Sequence, residues 1–337
     1  MATALTCGLV VSACGGSGSP GTGTTASVRL PPAKTSGTAS PTPVVDDLLA
    51  AEQPRRAQFP ASRGRSLKQL VRLVRGAAQL GPGTSTYTTG RARFAFALTD
   101  KSSRFIYAPT AVYLARTPTA PAQGPFLAPA DSTTVSPQFR SAQNSAPGGL
   151  KAVYWTDLPV PRSGVYDVLA LTRVGPRLIG ATGEVPVALS TPIPSVGQRP
   201  PDIATDTLAS QHGKVSLVTT RTPPESMHSM SLGQVLGKRP VALLFSTPEL
   251  CKSRVCGPVT DIMVELQRQF GSRIAFIHQE VYVGNDPTKG LRPQLHSFHL
   301  ETEPWLFTIN RRGEITARLD GVFGVGEARA ALEAALR

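Results

Sequence analysis

Between residues 86 and 190, apolar and polar positions alternate in short runs. Residues 93–98 read Arg-Phe-Ala-Phe-Ala-Leu, and the same period of two recurs at 111–114, 153–155, 164–171 and 184–189. Pro, Gly and Asp clusters separate these runs at hairpin-like intervals, which predicts strands joined by tight turns. Two antiparallel sheets facing one another, an all-β sandwich, satisfy that pattern. Beyond residue 209 the pattern changes. Residues 241–245 are continuously apolar, as a strand covered on both faces requires. Residues 259–270 place Ile262, Met263, Leu266 and Phe270 on one helical face. Further strands are predicted at 215–220 and 274–282, short helices at 231–236 and 294–300, a hairpin over 304–309 and 315–319, and a closing helix at 327–336. The predicted order is βαβαβαββα.

Three segments lie outside these patterns. Residues 15–65 are rich in Gly, Ser, Thr, Pro and Ala and are expected to form a disordered linker, because such a composition buries too little apolar surface to offset its ordering entropy. Residues 66–85 set Leu67, Leu70, Val71 and Val74 against Lys68, Arg72 and Arg75, a basic amphipathic segment. It could lie on anionic lipid or, more commonly, pack on the following domain. Residues 191–208 open with four prolines before position 202 and read as a semi-rigid interdomain linker. The expected organisation is therefore a leader over 1–14, these linkers, a sandwich over 86–190 and an α/β domain over 209–337.

Charge sharpens the division. The chain of 337 residues carries a net +13. Residues 205–337 hold 15 Lys+Arg and 13 Asp+Glu, about +2, so residues 1–204, with 20 and 9, hold about +11. An anionic surface could attract that half, but no aromatic-rich motif accompanies the charge, so nucleic acid is not an expected partner. Four cysteines are too few for a disulfide scaffold, which leaves the pair Cys251 and Cys256 to be read for reactivity.

That pair lies in Phe-Ser-Thr-Pro-Glu-Leu-Cys-Lys-Ser-Arg-Val-Cys-Gly-Pro, where a buried strand hands over to a helix. A thiol at a helix N-terminus meets unpaired N–H groups that lower its pKa, and a second thiol within reach can resolve a mixed disulfide. Five positions apart in an unbroken helix, the two would face about 140° away from each other. Gly257-Pro258 offers a way out: a helix starting near Pro258 leaves 251–256 as a turn that can close. With the distant segment 304–321, Pro-Trp-Leu-Phe-Thr-Ile-Asn-Arg-Arg-Gly-Glu onward, the domain resembles the thioredoxin-like superfamily. The resemblance implies catalytic cysteines at 251 and 256, a cis peptide bond at Pro304, and a substrate-binding edge of Glu303, Pro304, Gly257 and Pro258. It implies no cofactor and no metal. The 161–166 stretch, Pro-Arg-Ser-Gly-Val-Tyr, likewise gives the sandwich an immunoglobulin-like look, although strand-bridging cysteines are absent.

The match departs from the common Cys-x-x-Cys site, and no acid stands in 241–245. The spacing of five is similar to Q-type peroxiredoxins, whose threonine three before the cysteine is approximated by Thr247, four before; Arg254 and Arg292 are then candidate peroxidatic arginines. A copper-delivering relative would add a distant histidine, with His278, His296 and His299 as candidates. A non-catalytic interaction module is the remaining alternative. The polar run 278–282 could shape a substrate edge or be a solvated loop.

Val11-Ser12-Ala13-Cys14, at the end of a short apolar run, resembles a bacterial lipobox. It implies lipidation at Cys14 and attachment to the outer face of the plasma membrane, or otherwise secretion. Exported thiol or disulfide proteins are then the expected partners.

Overall fold

A computed structural model describes residues 46–145 and 148–337. Cys14, the leader and linker residues 15–45 lie outside the described residues. In chain order the elements are α1 (Leu48–Glu52), α2 (Leu67–Val71), β1 (Gly76–Ala77), β2 (Gln79–Pro82), β3 (Tyr87–Thr88), β4 (Gly90–Thr99), β5 (Thr110–Ala115), β6 (Gln123–Leu127), β7 (Ala130–Ser132), β8 (Ala152–Val160), β9 (Gly164–Val174) and β10 (Arg177–Ala188). After them come α3 (Leu232–Val235), β11 (Val241–Phe245), α4 (Cys256–Phe270), β12 (Ala275–Gln279), α5 (Pro293–Ser297), β13 (Trp305–Ile309), β14 (Ile315–Asp320) and α6 (Val325–Ala335).

The first ten strands form two sheets. One is ordered β1-β10-β9-β5-β6 with β3 also on β10, the other β2-β4-β8-β7. Phe94, Phe96 and Leu98 of β4 and Tyr154 and Leu158 of β8 meet Val112, Leu114, Val168 and Ala170 of the facing sheet in one core. The alternation in the sequence is the alternation of these side chains into that core. The opposite face of β4 and β8 is covered as well. Ala95 and Val153 join a second core with Leu244, Ile262, Met263, Leu306, Phe323 and Ala328 of the C-terminal domain.

That domain has a four-stranded sheet, β12-β11-β13-β14, with β11 parallel to β12 and antiparallel to β13. The unbroken apolar run of β11 is explained by two clusters. Ala242 and Leu244 face α4 and α6, whereas Val241, Leu243 and Phe245 face Leu232, Leu295 and Phe298 on the side of α3 and α5. The strand expected at 215–220 is instead a 3-10 turn over Val215–Leu217 with Val215 exposed, so the order observed is αβαβαββα. The amide of Thr220 turns away to bond Glu280 rather than a neighbouring strand.

Each presumed linker is also part of the body. Ala51 and Phe59 are buried, the Tyr113 hydroxyl donates to the Pro60 carbonyl at 2.6 Å, and Arg173 donates to the Gln58 carbonyl, so residues 46–65 belong to the sandwich. The basic segment is one helical turn, α2, followed by strands. Leu67 and Leu70 pack beneath Tyr113 and Leu169, so the apolar stripe faces the sandwich. Residues 191–208 dock on the C-terminal domain. Ile193 enters the β11–β13 core, the Gly197 amide donates to Ile315 at 2.8 Å, and the Ile315 amide donates back to Gln198 at 2.8 Å. Proline richness signalled an extended chain, but one apolar anchor and a strand edge decided where it lies.

Polar contacts lock the two units. Arg93, on the outer face of β4, forks onto Glu327 at 2.7 and 2.8 Å and also donates to the Asp320 and Val322 carbonyls. Asp131 accepts from the first amides of α6, Gly326 at 2.9 Å and Glu327 at 2.7 Å, as an anion at a helix start should. Ser85 and Thr86 donate to Asp320. Gly321, at φ 74°, lies so close to the Gly83 carbonyl that no side chain fits there. The sandwich is therefore docked on the C-terminal domain rather than held apart from it by the linker expected over 191–208.

Candidate active site

β11 ends at Phe245, and Ser246 and Thr247 follow it into the interior. The chain then turns through 251–255, with Arg254 at φ 59° and its amide donating to the Cys251 carbonyl at 3.1 Å. α4 begins at Cys256 itself, two residues before Pro258. Pro258 still falls in the first turn, where a missing N–H costs nothing. No side chain caps this helix. The backbone N–H groups of Val255 and Cys256 instead help to lower the pKa of the Cys251 thiol, which precedes the helix.

Both cysteines are free thiols, Cys251 being 6% exposed and Cys256 0%. Their sulfurs and a carboxylate oxygen of Glu303 lie within 4.8 Å of one another, and the Glu303–Pro304 peptide bond is cis. The sequence had placed these four residues together, and the structure brings them together. The Cys251 thiol is drawn down to about 6, chiefly by the Cys256 thiol, with Ser253 at 3.2 Å and the two amides assisting against burial. Burial, and then the neighbouring Cys251 sulfur, push Cys256 well above the ordinary thiol range. Glu303 is pushed up to about 7, first by burial and then by the charge on Cys251, with Lys252 pulling the other way.

Gly257 and Pro258, expected at the substrate edge, are buried. A Cβ at Gly257 would lie 3.1 Å from both the Cβ and the carbonyl oxygen of Gln143, on the loop between β7 and β8. The sandwich thus covers that side of the first turn of α4. Just beyond, the fully buried Asp261 accepts from the Ser141 amide at 2.9 Å, Asn144 Nδ2 at 3.1 Å and Arg221 Nε at 2.8 Å.

The run 278–282 is no solvated loop: His278, Gln279 and Glu280 are buried. His278 Nε2 meets the Ser246 carbonyl at 3.0 Å and Nδ1 meets Glu225 at 2.6 Å. Both partners can accept, so the two contacts favour the protonated ring. Burial opposes this charge, but Glu225 holds the His278 pKa above its usual value, and the imidazoles hold Glu225 well below the carboxylate range. From His278, hydrogen bonds continue through Ser246 Oγ and Thr260 Oγ1, each step 2.8 Å, to the Cys256 carbonyl at 2.7 Å. Glu280 accepts from the Thr220 amide and hydroxyl at 2.6 and 2.8 Å, and burial raises its pKa.

Two donor sets are compact enough to share an ion, Cys251–Cys256–Glu303 and Glu225–His228–His278. The third group beside the thiols is thus a carboxylate. Among the described residues no histidine joins the cysteines in such a set, and His278, a copper-ligand candidate, is committed to Glu225 and Ser246. His296 and His299 lie on and just after α5, away from either set. The peroxidatic candidates fare no better. Arg254 is exposed, and Arg292 is spent on Asp206, Asn285 and the carbonyls of Leu217 and Tyr282. The Thr247 amide addresses Cys256 rather than Cys251.

Sequence reading missed Glu225, Asp261, Arg221 and Gln143. Arg221 and Glu225 come from a segment with no periodic signal and Gln143 from the other domain, whereas Asp261 lies on the predicted helix, whose periodicity does not announce its buried partners. The absence of an acid in 241–245 was legible; the acids that enter from the sides were not.

No protein-family profile matches the chain, and no curated protein does. Among solved structures, it is similar to a putative thiol:disulfide interchange protein DsbE from Chlorobium tepidum, 14% identical, with a TM-score of 0.30 over 43% of this chain and 99% of that one. It is also similar to a thioredoxin family protein, described as a thiol:disulfide interchange protein, from Chlorobium tepidum TLS, 14% identical, with a TM-score of 0.29 over 44% of this chain and 100% of that one. The C-terminal unit of this β-rich, multi-sheet chain has, by its own strand order, strand directions and flanking helices, the arrangement of a thioredoxin-like fold.

Proposed function

We propose that the chain is a thiol-disulfide oxidoreductase in which Cys251 attacks and Cys256 resolves. One observation carries this reading: two thiols within 4.8 Å of one another, their pKa values driven apart, at the start of a helix beside the Glu303–Pro304 strand. With a pKa of about 6, Cys251 is mostly thiolate at neutral pH and is the less buried of the two. Its sulfur attacks a substrate disulfide, and Cys256 then displaces the substrate from the mixed disulfide. No described guanidinium bonds either sulfur, which disfavours the peroxidase alternative. The proposed substrates are exported proteins carrying thiols or disulfides. The finer proposal for the sandwich is an immunoglobulin-like module, supported by its two facing sheets, which are antiparallel apart from the short parallel pairings of β1 and β3 with β10. The pattern at Val11–Cys14 supports lipid anchoring through Cys14 to the outer face of the plasma membrane.

The test is trapping. Cys256→Ser, incubated with an oxidised substrate protein, is expected to accumulate a mixed disulfide at Cys251, seen as an intact-mass adduct. In redox buffers the wild-type chain is expected to lose two protons' mass in a single two-electron step. If neither adduct nor step forms, the redox reading fails.

A further inference from the structure

Glu303 differs from the other buried acids around the site. Glu225, Asp261 and Glu280 each accept hydrogen bonds from two or more side-chain or backbone groups. No described residue donates to the Glu303 carboxylate; the groups that face it are Cys251, Cys256, Lys252 and Tyr282. A partly buried carboxyl without a hydrogen-bond partner among the described residues, within 4.8 Å of both sulfurs, is not explained by packing. Structural acids in this domain are tied down, and this one is left free at the reacting atoms.

We propose that Glu303 is the proton carrier of thiol exchange, moving protons between the Cys256 thiol and the departing substrate sulfurs. This rests on the exchange role proposed above. The span of 4.8 Å is closed by a rotamer change of the glutamate or by one bridging water. Its pKa of about 7 lets the carboxyl both give and take a proton near neutrality.

The protons and electrons balance with a substrate disulfide as the oxidant. At the start Cys251 is a thiolate, Cys256 a thiol and Glu303 a carboxylic acid. The Cys251 sulfur bonds one substrate sulfur, the substrate S–S bond breaks, and the released thiolate takes the Glu303 proton. The carboxylate then removes the Cys256 proton. The Cys256 sulfur bonds Cys251, the mixed disulfide breaks, and the second substrate thiolate takes that same proton from Glu303. Two electrons have passed to the substrate, which leaves as two thiols. The enzyme holds a Cys251–Cys256 disulfide and one carboxylate, so the single negative charge is conserved.

The experiment compares two small disulfides with the full chain and with Glu303→Gln. An aryl disulfide releases a thiolate that leaves without a proton, whereas an alkyl disulfide releases a basic thiolate that needs one. In Glu303→Gln the first equivalent of aryl thiolate, released by the Cys251 attack alone, should slow little, whereas the second, which requires removal of the Cys256 proton, should slow about 100-fold; an unchanged circular-dichroism spectrum certifies the fold. The variant's rate with the alkyl disulfide should fall about 100-fold, the lower end for a lost acid–base group. In the wild type the alkyl rate should be bell-shaped in pH, with limbs near 6 and 7 set by Cys251 and Glu303 as a coupled pair, and the upper limb should vanish in the variant. Equal loss of the first equivalent with both disulfides, or no loss of the second with either, overturns the proton-carrier role while leaving exchange intact. A wild-type chain that exchanges with neither overturns the exchange role and this inference together.

Discussion

The sandwich and the thioredoxin-like domain bury polar groups in different ways. In the sandwich the buried groups are neutral hydroxyls bonded to each other or to the backbone: Tyr154 accepts from the Ala108 amide at 2.8 Å, and Thr110 pairs with Thr172 at 2.9 Å. Burial pushes the phenols of Tyr113 and Tyr154 upward, so they stay uncharged at any ordinary pH. In the C-terminal domain the buried groups are ionisable, and their environments pull them apart: Cys251 down, Cys256 up, Glu303 up, Glu225 down and His278 up. Buried hydroxyls hold a sheet in register, whereas buried charges with divergent pKa values mark where protons are to be moved.

The most severe break should come from the sulfurs. Cys251→Ser is expected to reduce disulfide exchange to background while keeping a cooperative melting transition, and an unaltered rate would remove Cys251 from the attacking role. Next comes the charge buried between the two units. Asp261→Leu strands the Arg221 guanidinium and should cost about 3–5 kcal/mol in denaturant unfolding; a cost below about 1 kcal/mol would mean that the pair is not dry.

A smaller effect concerns pH. Because the folded pKa of Cys251 lies below that of an unfolded thiol, its thiolate adds stability above the unfolded value that is lost as pH falls through about 6. Reduced wild type compared with Cys251→Ser should therefore gain stability between about pH 6 and the unfolded thiol value near 8.5, and alkylation of Cys251 should show its midpoint near 6. A midpoint near the free-thiol value would erase the contrast with Cys256. Smallest is a sandwich hydroxyl. Tyr154→Phe should cost about 1–2 kcal/mol and leave thiol reactivity unchanged.

Much of this arrangement was legible in local patterns. Alternation located β4, β5, β8, β9 and β10, because one face of each strand enters a single core. The solid run at 241–245, the two cysteines and Pro304 marked the thioredoxin-like sheet and its site. What stayed hidden is whatever depends on a distant partner. Residues 215–220 look like a strand until Thr220 is claimed by Glu280, sixty positions away. Gly257-Pro258 read as an open edge because nothing nearby announces that Gln143 sits on it. Likewise the amphipathic stripe of Leu67 and Leu70 carries no indication of whether lipid, water or Tyr113 lies beneath.

Ala95 and Val153 face the C-terminal domain from strands whose other side fills the sandwich. Two cores that share a wall cannot melt one at a time: losing either exposes the back of the other. Heating should therefore give one calorimetric peak rather than two, and clipping the chain near Pro200 should release two sticky fragments instead of one working redox unit.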